Sequence, residues 1–249
     1  MKVNSAMLKI IGMITMVLLN LTMFGIVEQP FLRTVCGVLG TSSITVFAFL
    51  ITEGYRRTSN INKYVLRVLV FAVISAFPYH AIMKLIYEDK ADITGYFSAG
   101  LTAFICLCAI ATYDKIKEKR LKYVFVFFVC VLSYFINFYW APFAFVLVFI
   151  IHICRDDFRK MAYYTISLFG AFFIVGLVFK MMNYENQSEL DMMIYQAGCI
   201  LPLPLIAKYN GQEGVKLKWI VYVFYVLMLI CFMLLLLLPK NADLLSLLF

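Results

Sequence analysis

The chain has 249 residues, of which 64% are hydrophobic and only 14% charged, with a formal net charge of +8. A soluble domain is nearer ~45–50% apolar and ~25% charged, so this composition excludes a single water-soluble core covered by polar side chains. Lipid is the expected solvent, and an excess of lysine and arginine then reads as membrane topology and attraction to anionic lipid, not as nucleic-acid binding.

The pattern predicts an all-α, polytopic helix bundle forming one integral-membrane domain over residues 1–249, with spans near 8–27, 32–52, 66–87, 95–113, 122–137, 141–154, 161–182, 192–207 and 219–238. The first run is longer than a usual signal-peptide core and has no small-residue cleavage pattern, so it is expected to stay as a signal anchor. Asn20 stands alone in its apolar wall. A buried amide bonds to a neighbouring helix or faces a polar cavity. The second span carries GTSSIT at 40–45, whose small hydroxyl residues suit close helix approach or a cavity wall, with Thr41 and Thr45 as candidates. Its end runs into EGYRRTSNINKYVLR, residues 53–67, where Glu53 lies among Arg56, Arg57, Lys63 and Arg67. This is a topology signal with an ion pair, or the mouth of a site for an anionic ligand.

Between the fifth and sixth spans, NFYWAP at 137–142 predicts an interfacial turn, because Pro142 interrupts a helix and Tyr139 and Trp140 suit the headgroup boundary. KYNGQEGVKLK, residues 208–218, reads as an Asn-Gly turn flanked by lysines. With the N-terminus inside, 17 of the 22 basic residues fall on inner segments. The outer loops hold Glu88, Asp89 and Asp92, then Glu185, Glu189 and Asp191. Nine alternating spans with the N-terminus in and the C-terminus out satisfy every loop. The seven cysteines are odd in number and suggest no disulfide framework. Cys106 and Cys108 point to different helix faces, and no metal-ligand set is expected. His80 and His152 have no acidic neighbour in sequence and read as helix contacts.

LKIIGMITMVLLN at 8–20, FAFLITEGYRRTSNINKYVLRVLVFAVISAFPY at 47–79, LPLPLIAKYNGQEG at 201–214 and VFYVLM at 223–228 together resemble the TraX family in order and spacing. Those are multispan proteins of the bacterial cytoplasmic (inner) membrane, named for the pilin acetyltransferase of conjugation systems and similar to membrane acyltransferases. The resemblance implies transfer of an acetyl or acyl group from acyl-coenzyme A to a peptide amine or glycan hydroxyl, with no bound cofactor. It also aligns Leu19 and Asn20 with a family Asp-His pair, and Met228 with a family histidine. Gly40, Thr41 and Thr45 fall on a family Gly-Arg and proline, and Arg57 on a further histidine.

An amide, a leucine and a thioether cannot accept a proton at neutral pH. The resemblance therefore implies a scaffold kept at Glu53, Gly54, Tyr55, Lys63, Tyr64, Arg67, Pro78, Tyr209, Asn210 and Gly211, with the protic machinery missing. Arg56, Arg57 and Arg67 are the expected phosphate partners of the donor, with Glu53, Tyr209 and Asn210 beside them at the mouth. The alternatives are a non-catalytic scaffold that binds lipid, a peptide or a partner membrane protein, and a small transporter or permease subunit.

Overall fold

The computed structural model describes residues 3–87, 98–135, 143–182, 191, 193–215 and 217–237. Among these the architecture is helical: α1 (Ser5–Met23), α2 (Pro30–Arg57), α3 (Ile61–Tyr87), α4 (Ala99–Lys115), α5 (Lys119–Phe135), α6 (Phe143–Ile153), α7 (Phe158–Met181), a 3-10 segment (Gln196–Ile200), the short α8 (Leu203–Ala207) and α9 (Lys218–Leu237). Five of them, α1, α2, α3, α7 and α9, are long and apolar enough to cross a membrane. α4 and α5 have 17 residues each, or ~25 Å at 1.5 Å per residue. The NFYWAP turn and the acidic residues Glu88, Asp89, Asp92, Glu185 and Glu189 lie outside the described residues.

Local signals place the helix starts. Asn4 caps α1 through its side chain to the Met7 amide at 2.9 Å, and Asp157 caps α7 on the Lys160 amide at 3.1 Å. Pro30 opens α2, where its missing N–H costs nothing. α1 and α2 cross closely because glycines face the neighbour. A Cβ on Gly40 would lie 2.5 Å from the Leu19 amide nitrogen, and one on Gly12 would lie 3.0 Å from Val46. Close backbone approach of this kind favours helix association in lipid, where no hydrophobic drive acts between helices.

The expected span at 192–207 is an apolar helical stretch, Met193–Ala207, shorter than the five long spans. It is not a regular helix but a 3-10 turn, a break at Pro202 and the five-residue α8. The reason is local: Gly198 packs where a Cβ would overlap the Val38 carbonyl oxygen, and Pro202 and Pro204 remove two backbone donors. α2 supplies the missing partners, since the Thr41 hydroxyl donates to the Tyr195 carbonyl and the Thr45 hydroxyl to the Cys199 carbonyl at 2.7 Å. A broken helix in an apolar setting needs such neighbours.

Two buried clusters hold the bundle. One gathers Leu107, Ile110, Phe145, Leu147, Val148 and Phe169 from α4, α6 and α7. The other joins α1, α3 and α9 through Phe24, Tyr79, Tyr225, Met228 and Phe232. Contacts also fix which helix ends meet. Glu53, Tyr55 and Tyr64, the Asp114 end of α4, the His152 end of α6 and Tyr209 share one end of the bundle. Phe24 and Phe232 meet toward the other.

Candidate functional site

A cavity of about 640 Å³ opens at the end where the basic residues gather and runs inward between α1, α2, α3, α4, α6 and α9. Its mouth carries Lys9, Glu53, Arg57, Thr58, Ser59 and Tyr209. Glu53 is buried, and its carboxylate accepts from Arg57 Nε at 2.5 Å and from the Tyr209 hydroxyl at 3.2 Å, with Arg56 at 3.6 Å. Arg57 also donates to the Gly211 carbonyl and lies 5.9 Å from the Tyr209 ring centre. Burial and the Glu53 charge push the Tyr209 hydroxyl up to about 12, so this phenol stays a donor across the physiological range.

The loop at residues 208–214 is shaped to reach this point. Gly211 and Gly214 take φ of 74° and 68°, a left-handed backbone that glycine adopts without strain. Asn210 braces the turn, accepting from the Gln212 amide at 2.9 Å. The same loop stitches the N-terminus: Ser5 and Ala6 amides donate to the Gln212 and Glu213 carbonyls at 2.9 and 3.1 Å. Those are amides that the first turn of α1 would otherwise leave unpaired.

Deeper in, Arg67 stands in the wall with its guanidinium 5.2 Å from the Tyr64 ring centre and 6.0 Å from that of Tyr222. Its Nε is buried and has no partner among the described residues. The inner end is lined by Leu19, Asn20, Phe71, Gly100 and Tyr225. Asn20 is 2% exposed, and its Nδ2 donates to its own helix at the Met16 carbonyl, 2.8 Å away, in place of the expected bond to a neighbouring helix. The short amide reaches the carbonyl one turn back more readily than a partner across the open cavity.

The structure thus brings Asn20, Leu19, Glu53, Arg57, Arg67 and Tyr209 around one space. Other expected residues fall elsewhere. Thr41 and Thr45 do not line the cavity; they clasp the 3-10 segment, and Ser43 is the hydroxyl of GTSSIT that faces in. Asn210 serves the turn. Arg56 lines a separate hollow. Met228 is buried in the α1–α3–α9 cluster, onto which Met16, Val17 and Leu21 of α1 pack. It faces neither lipid nor the cavity.

Sequence reasoning missed two features. Tyr222 and Tyr225 line the cavity beside the expected Tyr64. His152 Nε2 lies 2.9 Å from Asp114, whose other oxygen accepts from the Tyr55 hydroxyl at 3.0 Å. Span alternation carried a signal for this pair, because it places the last residues of the fourth and sixth spans at the same end.

The family model described as TraX protein matches residues 4–236. The chain belongs to the TraX family. No curated protein and no solved structure matches it. The TraX match spans every element that lines the cavity, from Ser5 of α1 to Tyr225 of α9.

Proposed function

We propose that this TraX family member binds an acyl-coenzyme A-type donor from the cytoplasmic side of the bacterial inner membrane, with the donor's phosphates at the basic mouth and its acyl end pointing toward Asn20. The observation that carries this reading is the continuous cavity from Arg57 past Arg67 to Asn20. Arg67 supports it further, as a half-buried arginine in the wall whose Nε–H has no partner among the described residues is suited to an anion. In the corresponding transfer, an acceptor amine or hydroxyl attacks the thioester carbonyl, the C–S bond breaks, and the acceptor's proton ends on the departing thiolate. Asn20 and Leu19 provide no base at that depth, so transfer is slow and rests on positioning.

The test uses purified protein in nanodiscs with radiolabelled acetyl-coenzyme A. Saturable binding that weakens ten-fold or more in Arg67→Gln is expected, and absence of binding to the wild-type chain would overturn the reading. Restoring the family pair that lines the cavity with Leu19→Asp and Asn20→His is expected to raise transfer to a membrane acceptor by ~10²–10⁴, the usual worth of general-base catalysis.

The membrane arrangement belongs to the same proposal: nine crossings, N-terminus inside and C-terminus outside. It is supported by the way helix ends meet, since Glu53, the Asp114 and His152 ends and Tyr209 fall together as strict alternation requires. The broken segment runs beside α2 in the same direction, from Tyr195 against Gly37 to Tyr209 at Glu53. A second reading, a non-catalytic scaffold that holds a lipid or peptide, is favoured by Met228 being packed into the core. It predicts wild-type function in Asn20→Ala.

A further inference from the structure

A second hollow opens beside the mouth and is separate from the cavity. It measures about 440 Å³ and is lined by Tyr55, Arg56, Thr58, Ser59, Ile61 and Arg155. Thr58 and Ser59 belong to both walls, so the short link between α2 and α3 is the partition. The cavity is an apolar passage with a charged mouth; this hollow has Ile61 as its one aliphatic wall residue.

Its charge is not neutralised from within. Glu53 is the nearest carboxylate to Arg56, and Arg57 and Tyr209 already hold it at 2.5 and 3.2 Å. Arg56 reaches it only at 3.6 Å with its own side chain 41% exposed. Arg155 meets Asp156 at 3.4 Å, where Asp156 is 80% exposed, and such surface pairs hold little. Tyr55 does not compete for a ligand, since its hydroxyl is committed to Asp114, which is also paired with His152. Arg56 lies near the end of α2 and Arg155 two residues past α6, so helix packing, not local chain, sets the two guanidinia on one hollow with the hydroxyl residues Thr58 and Ser59. The Thr58 hydroxyl already donates to the Asn60 carbonyl at 3.1 Å, so the donors left for a ligand are the two guanidinia and the Ser59 hydroxyl, a set that suits a tetrahedral oxyanion.

We infer that this hollow is an anion site for a phosphate group, supplied by the headgroup of an acidic lipid or by a soluble phosphate ester. Its position at the basic end of the bundle suits either source.

The test uses the full chain in phosphatidylcholine nanodiscs with two probes, phosphatidylglycerol doped into the bilayer and 3′,5′-adenosine bisphosphate added in solution. The wild type should retain one of them, and which one identifies the source. Arg56→Gln with Arg155→Gln should weaken that binding ten-fold or more, with thermal unfolding unchanged because both side chains are exposed. Arg67→Gln should leave it within two-fold, and this separates the site from the donor cavity. The inference is overturned if the wild type binds neither probe, if the double variant binds within two-fold of wild type, or if Arg67→Gln loses binding as far as the double variant does.

Discussion

Glu53 is the residue on which the cavity mouth closes, as one carboxylate satisfies Arg57 and Tyr209 and draws in Arg56. Glu53→Ala leaves Arg57 with the Gly211 carbonyl and the Tyr209 ring alone, and is expected to cost about 1–3 kcal/mol, the range for hydrogen bonds to charged groups. Thermal unfolding in detergent measures it, and an unchanged midpoint would show the network to be idle. Asp157 gives a pH prediction. Its carboxyl is held below the usual range, chiefly by the Lys160 backbone amide. A depressed folded value means the cap contributes above the unfolded pKa of about 3.9 and fades as pH falls through the lower folded value. Asp157→Asn should therefore be less stable than wild type at neutral pH, and the gap should narrow in acid. At this scale the sequence was readable in part: charge alone grouped Glu53 with Arg56 and Arg57, while Tyr209 joined them only through the family resemblance. The partner of Asn20 could not, because an amide in a helix chooses between its own turn and a neighbour according to what faces it.

At the scale of elements, glycines decide the packing. Gly198→Ala forces a methyl onto the Val38 carbonyl and should undo the clasp between α2 and the broken segment, with about 1–3 kcal/mol lost to overpacking. Gly170 provides the contrast within the same chain, since an added Cβ there meets nothing within 4 Å. Gly170→Ala should be neutral or stabilising by up to ~1 kcal/mol through helix propensity. Unfolding midpoints of the two variants should move in opposite directions or differ clearly; equal shifts would contradict the packing described. Helix positions followed from apolar runs, and the ends of most spans fell within a few residues of the helices observed. The segment at 192–207 also kept its bounds, as Met193–Ala207, but its internal break was not read, although Gly198, Pro202 and Pro204 were in view. What holds it is a pair of hydroxyl bonds between residues 154 apart, and no local pattern encodes which threonine will find which carbonyl. Thr41 and Thr45 were placed in the cavity for the same reason.

At the scale of the whole molecule, alternation of short loops predicts which surfaces face which side. Single cysteines at Gln29 and Ser59, in a background with the native cysteines replaced by serine, should label from opposite sides of the membrane, Gln29 from outside. Labelling of both from one side would remove the proposed topology. The same alternation places the Asp114 and His152 ends together, so that contact was implicit in the loop charges. The cavity was not, since its volume depends on how six helices lean against each other and on tyrosines whose facing direction is set by that packing.

The joining of the first residues to the loop at 208–214 has a consequence for how the protein is made. α1 emerges well before this loop, yet its leading amides at Ser5 and Ala6 find their acceptors only when Gln212 and Glu213 have been synthesised. Until then the entrance has one jamb and no frame, and Arg57 waits without its glycine carbonyl. Assembly of the doorway thus waits until that loop has been made.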